Sequence, residues 1–233
     1  MTTPWHHTIA VFDLETTGID VATSRIVTAH VGLIGPDGEV LERRDWLADP
    51  GVEIPVQASA VHGISTEQAR AEGRPAADVV AEIIGTIAEL FSREHALTIY
   101  NAPYDLSLLA HEARRHGVDE LFLPGPIIDP LVLDKAVDRY RKGKRTLEAA
   151  ALHYGVSLTA AHDAGADAIA AGHVAQAMAR RYPNELGVHD AVSLHDMQAS
   201  WAAEQAASFT EYMRRVKDPT FHDPGHWPVR LLP

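Results

Sequence analysis

Apolar and β-branched residues crowd "HTIAVFDL" and "RIVTAHVGLI", and "GPDG" then supplies a tight turn into "EVLERRDWL". Such runs around a turn predict a three-stranded antiparallel meander, whose first strand carries Asp13 to its end. Further on, "GISTEQ" sets Ser65 three residues before Gln68, the spacing of a capping box that opens a short helix. In "AADVVAEIIGTIAELFSR" the residues Val79, Val80, Ile83, Ile84, Ile87, Leu90 and Phe91 recur every three or four positions, so this helix is amphipathic and covers one sheet face. "ALTIYN" predicts a fourth strand, followed by a helix from about Pro103 to His116 that Pro103 can start and Gly117 can stop. "PIIDP" suits a fifth. "LVLDKAVDRY", "TLEAAALHY" and "AGADAIAAGHVAQAMARRY" are helical patterns, the second ending at Gly155 and the third before Pro183.

Strands first and alternation later predict an α/β fold, a mixed five-stranded sheet with helices on both faces. From about Asn184 the character changes: a long helix from about Ala191 to Val216 precedes the proline-punctuated tail "KDPTFHDPGHWPVRLLP". Residues 1–183 are therefore expected to form one domain and residues 184–233 a C-terminal helical extension. A chain of 233 residues with 46% hydrophobic content can bury one sizeable core, which fits one domain plus an extension.

Composition narrows the function classes. No apolar run approaches the roughly 18 to 20 residues that cross a bilayer, and "MTTPWHHTIAVFDLE" has no basic region, hydrophobic stretch or cleavage site, so the expectation is a soluble, cytoplasmic protein without membrane partners. With no cysteine, any metal must be held by oxygen or imidazole. A net charge of -12 argues against coating duplex DNA and leaves room for a short contact with a strand end. "RYRKGKR" is the exception: Arg139, Arg141, Lys142, Lys144 and Arg145 read either as a solvated inter-helix loop or as a phosphate-tracking patch. "HEARRH" spaces its histidines at five rather than the four of a zinc helix and reads as an exposed helical face. "FHDPGHW", with His222, Asp223 and His226, reads as a solvated tail.

Residues two apart on a strand share a face, so Asp13 and Glu15 place two carboxylates side by side at the strand's end. Their proximity either raises one pKa or is relieved by a cation, and oxygen ligation suits Mg²⁺ or Mn²⁺. Alternatively the pair begins a solvated turn. Asp105 and Asp167 each fall near a helix N-terminus, where the macrodipole alone would favour an acid. His162 lies five residues before Asp167, in the loop entering that helix. Imidazole exchanges protons near neutral pH, so His162 could take one from an attacking water.

"FDLETTG", "NAPYD" and "HDAGAD" resemble, in order and at suitable separations, the three exonuclease motifs of the DEDDh family, whose members include the proofreading subunit of bacterial replicative polymerase. The resemblance runs from about His7 to Tyr182 and touches "VHGIS" and "IDPLVLDKAV". It implies a ribonuclease H-like fold in which Asp13, Glu15, Asp105 and Asp167 hold two divalent cations and His162 acts as general base. It also implies that Thr16, Thr17 and Gly18 form the turn that receives the terminal nucleotide, with His62 and Asn101 beside it. Tyr100 stands where many relatives carry His and Tyr104 where Phe is usual. The tyrosine branch of the superfamily would need Tyr at position 163, which is Asp, so the histidine branch fits.

The expected activity is 3′-to-5′ hydrolysis of single-stranded DNA ends, in proofreading or repair, releasing nucleoside 5′-monophosphates. One rival is the same chemistry on RNA, which turns on how the pocket treats the 2′-hydroxyl. Another is an assembly subunit docking a polymerase or clamp through the extension, with Trp201, Phe209 and Tyr212 as anchors. Aromatic residues at helical spacing also fit packing against the chain's own domain.

Overall fold

The computed structural model describes residues 4–120, 125–158 and 161–230; the first three residues and the last three of the tail lie outside the described residues. Strands β1 (Ile9–Thr16), β2 (Ile26–Ile34) and β3 (Val40–Asp49) form the expected meander, with Ile9 opposite Ile34, Asp13 opposite His30 and His30 opposite Asp45. Two-residue strands β5 (Leu97–Thr98) and β6 (Ile127–Ile128) extend it in parallel beyond β1. The sheet has six strands rather than five, because β4 (Arg74–Pro75) adds two residues beside β3, giving the order β4-β3-β2-β1-β5-β6. So short a pair carries no alternation in the sequence to announce it.

Alternation along β1 sorts two cores. Ala10, Phe12 and Leu14 face the core built with α3 (Ala76–Ser92) and α4 (Ala102–His116), whereas Ile9 and Val11 face the core built with α7 (Ala164–Arg181). Asp13 and Glu15 continue the Val11 face. The strand turns acidic where its second face runs past the apolar core. Glycines on α7 permit its close approach: a Cβ at Gly172 would come within 2.6 Å of Val11 and Ile34, and one at Gly165 within 2.9 Å of Arg43.

Helix α2 (Thr66–Glu72) begins as expected, with the Ser65 hydroxyl accepting from the Gln68 amide at 3.1 Å, and Gly117 ends α4 in the left-handed region. Helix α1 (Val56–His62) is not apparent in the sequence, for it buries no side chain and so has no apolar stripe to read. Helices α5 (Pro130–Val137), α6 (Leu147–Tyr154) and α8 (Ala191–Val216) complete the chain, with a π-helical turn at Pro183–Gly187 before α8. Among the described residues, no helix is long and apolar enough to cross a membrane.

Helix α8 packs on β6 and α5. Gln198 is fully buried, its Oε1 accepting from the Asp129 amide at 2.7 Å and its Nε2 donating to the Ile127 carbonyl at 3.0 Å. Trp201 packs against the α7-side core, and Phe209 and Tyr212 are about half exposed.

Three local expectations are corrected. The "FHDPGHW" segment is docked rather than solvated: the Trp227 ring packs against the α3–α4 core and its Nε1 donates to Asp129 at 3.3 Å, while the Arg230 amide donates to Ser107 at 2.8 Å. Within "HEARRH", Glu112 is fully buried, accepting from the Ile26 amide at 3.1 Å and pairing with Arg115, so only part of that face is exposed. The basic segment is divided, since Arg141 and Arg145 turn inward onto buried Asp134 at 2.6 Å each and leave Arg139, Lys142 and Lys144 outside.

Candidate active site

Strand β1 supplies Asp13 and Glu15, the first turn of α4 supplies Asp105, and the first turn of α7 supplies Asp167. Asp105 is buried, and its Oδ1 accepts from the Leu14 amide at 3.1 Å. That bond is available because β1 runs past the end of β5, leaving the Leu14 amide without a strand partner on that edge. Asp163 caps α7 by accepting from the Ala166 amide at 2.9 Å, which fixes the turn holding His162. The His162 backbone is left-handed, with φ 66°, and its amide donates to Asp167 Oδ2 at 3.1 Å. One side-chain ligand atom from each of Glu15, His162 and Asp167 lies within 4.8 Å of the others.

The electrostatics are those of crowded acids. Burial, then the charges of Asp105, Glu15 and Asp167, raise the Asp13 carboxyl well above the ordinary range. Burial, reinforced by Asp167 and Asp163, pushes Glu15 up to about 8. Asp105 is raised by burial against the pull of its amide donors, and Asp167 is raised by burial against the His162 amide. Asp167 Oδ1 is buried with no hydrogen-bond partner. Nearby positive charge is what lets such a crowded set of carboxylates ionise together. An orphaned buried oxygen within a set of oxygen donors and one imidazole fits a hard divalent cation.

Beside the acids, the Thr16 hydroxyl donates to the Gly18 carbonyl at 2.8 Å and lies 2.6 Å from the Tyr104 hydroxyl. Thr17 turns inward, its hydroxyl accepting from the Arg25 amide at 2.9 Å and its own amide donating to the Arg25 carbonyl. His62 lies against the Thr16 backbone, and its Nδ1 accepts from the Ile64 amide at 3.2 Å. Asn101 adopts a left-handed conformation at the N-cap of α4, and its amide donates to Asp129 at 2.9 Å. It lines a cavity of about 170 Å³ with Asp129 and Trp227; among the described contacts, none joins it to the Thr16–Gly18 turn.

Two neighbours of the site escape a reading by motif. Glu148, in the first turn of α6, lies 3.8 Å from His162 Nε2. An acid after Thr146 reads simply as helix capping. His30, opposite Asp13 in the sheet, is fully buried and bonded to Asp45 at 2.8 Å, and burial lowers its pKa. In sequence it is one polar residue within an apolar strand.

Comparison with known proteins bears on this geometry. A family model for exonucleases, RNase_T, matches residues 10–175. A PolC-type DNA polymerase III of Clostridium perfringens is 27% identical over 191 residues, which is 82% of this chain and 12% of that protein. A DNA polymerase III subunit epsilon-like protein of Rhodobacter capsulatus is 31% identical over 187 residues, 76% of this chain and 24% of that one. The chain thus spans about an eighth to a quarter of the length of these relatives. Among solved structures, Escherichia coli exonuclease I in complex with a dA16 oligonucleotide superposes with a TM-score of 0.64 at 22% identity, over 76% of this chain and 42% of that one. The family match, from residue 10 on, takes in nearly all of β1, α4, the turn that holds His162 and the first turns of α7, and so all four carboxylates, and the chain belongs to the exonuclease family.

Proposed function

We propose that the chain is a metal-dependent exonuclease that shortens single-stranded DNA from its 3′ end and releases nucleoside 5′-monophosphates. The observation that carries this reading is the convergence of Glu15, His162 and Asp167 within 4.8 Å, beside Asp13 and buried Asp105. Asp13, Glu15, Asp105 and Asp167 would hold two divalent cations, Mg²⁺ or Mn²⁺. Bound there, such ions supply activation of water and neutralisation of charge on the scissile phosphate and leaving oxygen.

The chain's own residues do the rest. His162, exposed at the mouth of the site, takes the proton of the attacking water and can pass it to solvent. The Thr16–Gly18 turn, with His62 against it, receives the terminal sugar, Thr17 anchors that turn to Arg25, and Asn101 lies at the base of α4 nearby. DNA is favoured over RNA by the DNA oligonucleotide bound to the solved exonuclease I. A net charge of -12 permits few phosphate contacts, so the expected action on free strands is distributive.

The test is incubation of the protein with 5′-labelled single-stranded DNA and RNA of matched sequence in Mg²⁺, Mn²⁺ or EDTA, beside Asp13→Ala. A metal-dependent ladder descending from the 3′ end of DNA, absent in the variant, is the expected result. A preference for RNA would reassign the substrate, and no shortening of either strand would overturn the reading.

A further inference from the structure

A cleft runs between α5 and the face of α8 turned toward it. The cavity that Asn101 lines adjoins a second, of about 530 Å³, and Lys135, Gln205 and Phe209 line both. Trp201, Gln205, Phe209 and Tyr212 wall the second cavity from α8. Their spacings of four, four and three set them on one helical face about 16 Å long. Gln205 Nε2 donates to the Val132 carbonyl at 3.0 Å, which holds that face toward α5. Phe209 meets Phe221 edge-on, with ring centroids 5.3 Å apart, and stays about half exposed, as does Tyr212. The opposite wall is cationic. Lys135 is half-buried, and among the described residues no hydrogen bond or ion pair takes its ammonium. Arg139, exposed beyond the end of α5, lies over the Tyr140 ring, again without an ion pair among the described residues. Glu204 is the one acid lining this second cavity, in a chain whose net charge is -12.

We infer that this cleft carries the upstream part of a single-stranded DNA whose 3′ end lies in the active site, its bases stacking on Phe209 and Tyr212 and its phosphates meeting Lys135 and Arg139. The inference rests on the exonuclease reading and adds a remote contact on α8, which lies outside the residues 10–175 that match the exonuclease family. Cations on one wall and aromatic rings on the other suit a chain of alternating phosphates and bases. A half-buried ammonium without a counter-charge gains from an anion, whereas an apolar protein partner would bury it further. The inner end of the cleft holds Asn101, four residues before Asp105, so a strand leaving the acids past the first turn of α4 enters it. Two cations add few phosphate contacts, and action on free strands stays distributive.

Strand length tests the cleft, because a trinucleotide fills the active site without reaching the outer cavity. The unaltered protein should favour a single-stranded DNA of about twelve nucleotides over a trinucleotide by about tenfold or more in kcat/KM, the scale of one or two stacked bases, with the difference in KM. In Phe209→Ala, and in the double variant Lys135→Gln/Arg139→Gln, that ratio should fall to within about threefold. Phe209→Leu keeps apolar packing on Phe221 without a ring to stack and should behave like Phe209→Ala. Binding of the labelled longer strand, read by anisotropy in EDTA, should weaken with salt less steeply in the double variant, by about 1.4 in the log–log slope. An unchanged length ratio, an unchanged slope or no binding by the unaltered protein overturns the inference. So does a Phe209→Ala protein that keeps the ratio but loses affinity for a polymerase or clamp, which would give the face to a protein partner. Absence of cleavage on both strands would overturn the exonuclease reading, and the salt slope, measured without cleavage, would still decide the cleft.

Discussion

The Leu14 amide donates to Asp105 Oδ1 at 3.1 Å, so a carboxylate from α4 is tied to the strand residue that separates Asp13 from Glu15. The same side chain thus has a structural and a chemical duty, and two substitutions separate them. Asp105→Asn keeps an oxygen for the Leu14 amide and removes a buried charge from a crowded site. It should melt at the same temperature or higher while activity falls by about 1000-fold or more, the scale of several kcal/mol of lost metal-assisted stabilisation. Asp105→Ala should lose activity and also about 1 to 3 kcal/mol of stability, because the Leu14 amide is left unpaired. Thermal melts beside rate assays check both; residual activity near that of the unaltered protein in Asp105→Asn would remove Asp105 from the machinery.

Glu15 predicts an unusual dependence of stability on pH. Its folded pKa, pushed up to about 8, lies above the ordinary carboxylate value expected in the unfolded chain. Between those values the folded state holds more protons than the unfolded one, so this group's contribution to stability falls as pH rises. In EDTA the melting temperature should decline from about pH 5 to about pH 8. Mg²⁺ or Mn²⁺ should restore it most at the upper end, by binding the ionised folded state. Glu15→Gln should flatten the decline; the same slope in that variant would place its origin elsewhere.

What the sequence disclosed follows from where each signal resides. The meander was legible because β1 and β2 are near-continuous apolar, β-branched runs of eight and nine residues with a tight turn after β2, and α4 and α6 because Gly117 and Gly155 mark their ends. All four carboxylates and His162 sit in short ordered motifs, and the placement of the carboxylates on β1, α4 and α7, with His162 in the turn before α7, follows from those elements. Features that depend on partners distant in sequence were not legible. Nothing local reveals that Glu112 reaches the Ile26 amide, that Arg141 and Arg145 turn inward, or that Trp227 folds back onto Asp129. Helix α1 and strand β4 bury too little to leave a periodic trace.

Asp134 should be among the positions least tolerant of change outside the site. It is fully buried, and it accepts from Arg141, from Arg145 and from the Tyr154 hydroxyl at 2.7 Å. The network joins α5, the basic segment and α6, the helix that brings Glu148 to His162. Asp134→Asn leaves two guanidiniums without a counter-charge, a loss of about 3 to 5 kcal/mol. For a chain of this size that corresponds to a melting temperature lower by about 6 to 20 °C. A shift under about 2 °C would mean that the arginines find water instead and that the network is not structural.

The extension makes the opposite demand on an experiment, because its role is decided by what the domain loses without it. Gln198 satisfies the Asp129 amide and the Ile127 carbonyl at the edge of the sheet, and the Trp227 indole donates to the Asp129 carboxylate. Asp129 in turn accepts from the amides of Asn101 and Ala102 at the start of α4, the latter three residues upstream of Asp105. Truncation at Asn184 therefore uncovers β6, leaves buried polar groups without partners and loosens the first turn of α4. The truncated chain should be poorly soluble or melt well below the full chain. Gln198→Ala, a milder change, should lose about 1 to 3 kcal/mol. A truncated chain that stays soluble and melts normally would free the extension from this packing role and leave α8, through half-exposed Phe209 and Tyr212, as a surface for a polymerase or clamp.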